Sequence, residues 1–159
     1  MGDKMKRIIN LFIIIFLIIT IYNKFSYQKS LIMSFGNTIN GNYIYKYEDT
    51  RVTDIINDIK NNNKIDNRNI QNILIKSSTI YLDLNDLINC SNYDCTTTNL
   101  VDLEILLDLI RKYCKEKIII RLLSQDNDIT SYTNEKVMIL AKKYDIITMR
   151  WKNGKYIRK

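Results

Sequence analysis

Histidine and proline are both absent from this 159-residue chain, and glycine occurs only four times. Without histidine the chain lacks the side chain that most often serves as a general base and as a metal ligand near neutral pH. The cysteines and carboxylates have no zinc-like spacing either. We therefore expect no metal and no cofactor, and histidine-based catalysis is excluded.

Positive charge is concentrated at the two ends of the chain, which carries a formal charge of +7. Residues 1–29 hold five basic residues and one acid, residues 30–141 hold twelve and fifteen, and residues 142–159 hold seven and one. A nucleic-acid-binding domain would carry a basic surface on its body, so we expect no nucleic acid partner. The last basic residues are interpreted as a solubilising tail, with contact to anionic lipid or to an envelope polymer as the alternative: Lys152, Lys155, Arg158 and Lys159.

A basic cluster precedes the apolar run Ile8 to Tyr22. We interpret residues 1–7 as a cytoplasmic basic N-terminus, residues 8–25 as a transmembrane signal anchor and residues 26–30 as a linker. A cleaved signal peptide is the first alternative, although no Ala-x-Ala-like site follows, and a buried core helix would need a polar face. The basic flank predicts a single-pass protein of the cell membrane with its C-terminal domain extracytoplasmic.

Beyond residue 30, strand-like apolar runs alternate with segments of helical period, which predicts an α/β domain with a parallel sheet covered on both faces. A hairpin is predicted at Asn153-Gly154. Polar loops are predicted over residues 37–47, 89–99 and 124–132. Strands are predicted at Leu31–Phe35, Thr79–Leu84, Lys117–Leu123 and Ile146–Trp151, with helices beginning near Val52, Asp66, Leu100 and Thr133.

Three turns follow the first three predicted strands and should meet at one edge of the sheet. Ligands of open α/β sheets bind outside the carboxyl ends of the strands, so this edge is the candidate site. A plain turn at Gly36-Asn37 is the alternative. The binding candidates are Gly36, Asn37, Thr38, Asn85 and Asp86, and the third turn is Ser124-Gln125-Asp126.

Two of these turns resemble the sequence blocks of SGNH/GDSL hydrolases. The first reads Ser34-Phe35-Gly36-Asn37-Thr38-Ile39, and the second reads Leu82-Asp83-Leu84-Asn85-Asp86-Leu87. The resemblance covers residues 31–150. It implies that residues 31–159 form a flavodoxin-like three-layer sandwich with a mostly parallel sheet, the fold of these α/β esterases.

For chemistry, the resemblance implies that Thr38 stands at the nucleophile position and Asn85 at the oxyanion position. Asp83 stands where the family has glycine, and its carboxylate would repel a developing oxyanion. The late Asp-x-x-His that supplies the base in the family has no counterpart, and a hydroxyl is a weak nucleophile without a base. Only Lys46 lies near enough in the sequence to substitute, so we expect no catalytic residue.

We therefore expect a membrane-anchored, SGNH-like domain that lacks hydrolytic activity and serves in binding or scaffolding at the cell envelope, with an acylated or carbohydrate ligand. One alternative is a weak acyl-ester hydrolase that uses Thr38. Another is an unrelated membrane-anchored α/β interaction module. Alternating tyrosines beside the site are read either as a stacking surface or as an edge strand: Tyr43, Tyr45 and Tyr47.

The cysteines and one acidic loop allow further interpretations. Cys90 and Cys95 either close a small disulfide or remain free thiols, and Cys114 is expected in the core. Asp126 and Asp128 resemble the start of a calcium loop but lack the later ligands, so a solvated loop is expected.

Overall fold

A computed structural model describes residues 9–10, 12–18, 31–36, 44–47, 51–88 and 90–158. The chain divides into two compact units, Met1–Ser30 and Leu31–Lys159. In the first unit, residues 9–10 and 12–18 are helical (α1), and their large apolar side chains are exposed. Across the described residues, no helix has both the length and the apolar character that a membrane crossing requires.

The second unit is built on a six-stranded, mostly parallel sheet. Its main strands are β1 (Leu31–Phe35), β2 (Ile44–Tyr47), β5 (Ser77–Asp83), β6 (Lys117–Arg121), β7 (Ile147–Lys152) and β8 (Lys155–Arg158). Their spatial order is β2-β1-β5-β6-β7-β8, with only β8 antiparallel. Counted along the parallel strands, this is the order 2-1-3-4-5 of flavodoxin-like sheets. The predicted α/β class and mostly parallel sheet are confirmed.

Helices fill the connections that follow β2, β5 and β6. Because the four longer helices pack against one another, they form one layer. Of the predicted three-layer sandwich, the described residues thus show two layers, the sheet and one layer of helices. The helices are α2 (Val52–Asn61), α3 (Ile70–Lys76), α4 (Leu84–Leu87), α5 (Tyr93–Tyr113) and α6 (Asp128–Lys143).

The core lies between this helical layer and one face of the sheet. Alternate residues of a strand point to opposite faces, and one face of the central strands is fully buried, as at Phe35, Leu82 and Ile120. The helices contribute apolar positions at helical spacing, such as Ile55, Ile59, Leu103 and Leu107. Every core side chain of the described residues comes from positions 33–146. The core of the described residues thus lies entirely within the second unit, and we expect this unit to fold without residues 1–30.

Two predicted loops are shorter than expected because side-chain caps start helices inside them. The Asn92 side chain accepts a hydrogen bond from the Cys95 N–H (2.8 Å), so α5 begins at Tyr93. The Asn127 side chain accepts from the Thr130 N–H (2.8 Å) and starts α6. The predictions of loops over 89–99 and 124–132 were therefore wrong in these parts, since asparagine is a strong N-cap.

Residues 64–69, where a helix start was predicted, instead form the small antiparallel pair β3 (Lys64–Ile65) and β4 (Arg68–Asn69). The turn between them places Asp66 and Asn67 at positive φ, as a tight hairpin requires. The loop prediction for residues 37–47 also fails at its end, because β2 is an edge strand parallel to β1. The predicted hairpin at Asn153-Gly154 is confirmed, with both residues at positive φ.

Candidate functional site

The ends of β1 and β5 come together at the edge of the sheet where the parallel strands end, called here the carboxyl edge. Gly36 follows β1 with φ +114°, a backbone conformation that glycine adopts far more readily than other residues. A Cβ at this position would lie 2.6 Å from Asp86 Oδ2 and 2.9 Å from Asp83 Cβ. Of the predicted candidates, Gly36, Asn85 and Asp86 are thus neighbours on this edge. Asn37 and Thr38 lie outside the described residues.

Asp83 is the buried centre of this edge, at 0% exposure. Its Oδ1 accepts hydrogen bonds from the Asn85 backbone N–H (3.1 Å) and from Asn85 Nδ2 (3.0 Å), which makes it the N-cap of α4. Its Oδ2 lies 3.6 Å from Arg121 Nη1 at the end of β6. A buried carboxylate requires such partners, because desolvation of an uncompensated charge is costly.

Asn85 bridges three segments through its side-chain amide. One hydrogen bond from Nδ2 goes to Asp83, and another goes to the hydroxyl of Tyr156 (2.6 Å). The amide oxygen accepts from both the backbone N–H and the hydroxyl of Ser124, each at 3.0 Å. An amide group has two N–H hydrogens and an acceptor oxygen with two lone pairs. Every hydrogen-bonding position of this side chain is therefore occupied by protein atoms.

The third predicted turn meets the second through the hydrogen bonds between Ser124 and Asn85. Ser124 follows β6 and reaches Asn85, which follows β5. The sequence prediction that the first three strands would bring their turns to one edge is confirmed for the described parts of those turns. Gln125 lines a small cavity of about 80 Å³ beside Asn85, together with Leu123 and Thr130.

Arg121 and Tyr156 were not among the predicted site residues. The Arg121 guanidinium carbon lies 5.7 Å from the ring centre of Tyr81 and 4.9 Å from that of Tyr156, within the range of cation–π contacts. The Tyr156 hydroxyl also points to the Leu122 carbonyl oxygen (3.4 Å). Burial raises the pKa of Tyr156, and the nearby Asp83 carboxylate raises it further. The phenol is therefore the neutral, protonated form at physiological pH.

The sequence carried a signal for Arg121 but only an indirect one for Tyr156. A charged residue near the end of an apolar strand, three positions before a predicted site loop, is a candidate in its own right. Tyr156 reaches the edge because the hairpin pairs it with Trp151, and the two rings pack edge to face with centres 5.0 Å apart. The hairpin was predictable, but its closure over the carboxyl edge was not.

The hydrogen-bond donors at this edge stabilise the permanent charge of the Asp83 carboxylate and not an oxyanion that forms during a reaction. The two N–H groups of Asn85 nearest the end of β5 are directed at the Asp83 carboxylate. An oxyanion hole needs donors aimed at the place where charge develops in the reaction. Here those donors already bind a carboxylate that belongs to the protein.

The structure also shows the state of the three cysteines and the position of the acidic loop. Cys90 and Cys95 form a disulfide with a Cα–Cα distance of 5.5 Å, between the end of α4 and the first turn of α5. Cys114 is buried, as predicted, and burial raises the pKa of its thiol. Asp126 is exposed, and Asp128 lies in the first turn of α6. Within the described residues no cluster of potential metal ligands occurs.

Comparison of this chain with protein-family models, with curated proteins and with solved structures finds no match.

Proposed function

We propose that this chain is a membrane-anchored α/β domain of the SGNH/GDSL-hydrolase type that binds a ligand or partner at the cell envelope and does not hydrolyse esters. In this proposal residues 8–25 cross the cell membrane once, and the domain is extracytoplasmic. The flavodoxin-like strand order and the meeting of the two family-like turns support the relationship. The disulfide supports the compartment, because disulfides persist in oxidising environments.

The observation that carries the proposed lack of catalysis is the bonding of Asn85. Its Nδ2 hydrogens point to Asp83 Oδ1 and to the Tyr156 hydroxyl, at 3.0 Å and 2.6 Å. A substrate oxyanion at this position would have to displace the buried Asp83 carboxylate and would face its negative charge. Losing a single oxyanion donor costs an esterase about 10²–10³ in kcat, and the chain also lacks histidine.

Binding fits the same groups better than catalysis does. The carboxyl edge combines the aromatic rings of Tyr81, Trp151 and Tyr156 with the cation of Arg121. Aromatic rings stack on the apolar faces of sugars and on acyl chains, while fixed polar groups set orientation. An acylated or carbohydrate envelope ligand suits this combination.

The test measures hydrolysis of short-chain aryl esters by the full chain in detergent, beside a Thr38→Ala variant. We expect the full chain and the Thr38→Ala variant to show the same background rate of ester hydrolysis. Turnover that the variant lacks, or a time-dependent acyl-type adduct at Thr38 with a phosphonate probe, would establish the weak hydrolase instead. Resistance of the full chain to alkaline carbonate extraction from membranes tests the anchor. Release into the soluble fraction would refute it.

A further inference from the structure

Basic side chains are concentrated at the edge of the sheet opposite to the candidate site, called here the amino edge. It is the edge where β1, β5, β6 and β7 begin and where α2, α3, α5 and α6 end. Acidic residues at this edge include Asp66, Glu116 and Asp145. The exposed basic residues there are Lys60, Lys76, Lys112, Lys115, Lys117, Lys142, Lys143 and Arg158.

A cleft of about 610 Å³ opens at the part of the amino edge that β6, β7 and β8 form. Arg111 builds its wall, because the guanidinium donates to the backbone carbonyls of Glu116 (2.7 Å), Tyr144 (3.1 Å) and Asp145 (2.8 Å). Three further cations line the cleft and are exposed to solvent: Lys115, Lys117 and Arg158. The acids Glu116 and Asp145 also line the cleft, so its four cations face two carboxylates and leave a surplus of positive charge.

Helix dipoles explain only part of this arrangement. Basic residues are favoured in the last turn of a helix and acidic residues in the first, and several of the lysines at the amino edge follow this rule. Lys115 lies beyond the C-cap of α5, Lys117 opens β6, and Arg158 ends β8. The ammonium of Lys115 donates to the Arg111 carbonyl in the last turn of α5 (2.9 Å) and so stabilises that helix end. Lys117 and Arg158 belong to strands, so the helix-end preference does not account for these two.

The way the domain is connected to residues 1–30 offers an explanation for the basic residues at the amino edge. The chain enters the domain at Leu31, the first residue of β1, which lies on the amino edge. In the proposed function the anchor ends at residue 25, and a linker of five residues spans at most about 18 Å. Attraction between a basic side chain and an anionic bilayer falls off within about one Debye length. A linker this short permits the amino edge to reach the headgroups, where each lysine or arginine contributes about 1 kcal/mol, equivalent to about fivefold in affinity.

We propose that the amino edge binds the anionic headgroups of the bilayer that carries the anchor, with the cleft between Lys115, Lys117 and Arg158 receiving a lipid phosphate. This inference rests on the proposed membrane anchoring. It orients the domain, since the candidate site on the carboxyl edge then faces away from the bilayer.

The experiment uses residues 31–159, which contain the core of the described residues, and measures co-flotation with vesicles at 100 mM salt. One vesicle set is pure phosphatidylcholine, and the other contains 30 mol% phosphatidylglycerol. We expect at least tenfold stronger binding to the anionic vesicles and release at 0.5 M salt, because the attraction is screened. Equal binding to both vesicle sets, or to neither, would overturn the proposal.

A matched pair of variants locates the contact. The amino-edge triple variant Lys115→Gln, Lys117→Gln, Arg158→Gln should lose roughly 100-fold in affinity, from about fivefold per basic residue. The control, Arg51→Gln, Lys152→Gln, Lys155→Gln, removes the same kinds of charge from the carboxyl edge and should lose about threefold or less. Equal losses in the two variants would show a net-charge effect and contradict a defined surface. Thermal melts of both variants confirm folding.

This test is separate from that of the proposed function. Carbonate extraction of the full chain reports on the anchor, whereas flotation of residues 31–159 reports on the amino edge alone. A carbonate-resistant chain whose isolated domain ignores anionic vesicles would refute only the inference made here. A carbonate-soluble chain would refute the anchor whatever the vesicles show.

Discussion

The two edges of the parallel sheet hold their charges in opposite ways. At the carboxyl edge the central charge, Asp83, is buried, capped by Asn85 and paired with Arg121. At the amino edge most cations are exposed, Lys115 and the half-buried Arg111 donate to backbone carbonyls, and Lys143 pairs with Glu104 at the surface. Buried, mutually bonded groups hold a structure rigid, whereas exposed charges add little to stability. The carboxyl edge thus contributes more to the stability of the fold than the amino edge does.

Among the changes that test this comparison of the two edges, Gly36→Ala should have the largest effect on stability. Alanine at φ +114° is strained, and its Cβ would overlap Asp86 and Asp83. We expect a loss of about 3 kcal/mol in the free energy of unfolding, measured by urea denaturation. Gly154→Ala is the control, because Gly154 also has positive φ but has open space around it. It should cost about 1 kcal/mol. Equal costs would mean that the two strand ends do not meet.

Asn85→Ala should give the next largest effect. The change removes donors from the Asp83 carboxylate and leaves the Tyr156 hydroxyl and Ser124 without their amide partner. We expect about 2 kcal/mol of destabilisation, the cost of unsatisfied buried polar groups. Asn127→Ala is the comparison, because this exposed asparagine caps α6 and its amide otherwise donates to the exposed Gln125 side chain. The change should cost about 1 kcal/mol. A smaller loss at Asn85 than at Asn127 would contradict the bridging role.

Tyr156→Phe tests the carboxyl edge through the pH dependence of the free energy of unfolding. The pKa of Tyr156 is raised by burial and by Asp83, so the folded state holds the phenolic proton more tightly than the unfolded state. This contribution to stability is complete below the unfolded pKa of about 10 and is lost as pH rises through the folded pKa. The wild type should exceed the variant by about 1 kcal/mol at pH 8, and the gap should narrow above pH 10. A gap that stays constant to pH 11 would rule out the linkage.

The smallest effect is expected at the amino edge. The triple variant of Lys115, Lys117 and Arg158 should change the free energy of unfolding by no more than about 0.5 kcal/mol, because these side chains are exposed. Urea denaturation of residues 31–159 measures it. A loss above about 1.5 kcal/mol would show that these cations hold the fold together, and the contrast between the two edges would disappear.

The sequence was sufficient for β1, β5, β6 and β7 and for the meeting of the turns, but it did not predict β2, β3 or β4. Apolar runs ending in turn residues located β1, β5, β6 and β7, and parallel topology then brought Gly36, Asn85 and Ser124 to one edge. The starts of α5 and α6 were not predicted, because their first turns are polar and depend on the caps Asn92 and Asn127. Local hydrogen bonds, and not hydrophobic period, fix such helix starts.

The content of the site was less predictable than its position. The partnership of Asn85 with Tyr156 joins residues 71 positions apart, and it depends on how the β7–β8 hairpin packs against the end of β5. Arg121 reaches Asp83 only because β5 and β6 pair in the register Asp83↔Arg121. The spacing of residues along the sequence gives no signal for either of these two contacts. The Cys90–Cys95 pairing, which spacing left open, is resolved as a disulfide.

The hydrogen bond between Tyr156 and Asn85 has a consequence for biosynthesis. The phenol lies in β8, the last strand of the sheet, whereas its partner is made 71 residues earlier. During translation, β1, β5 and β6 can assemble while the amide of Asn85 still faces water. The carboxyl edge then closes only when β8 has emerged and folded back. A nascent chain halted before β8 would carry an assembled sheet whose carboxyl edge is still open to water.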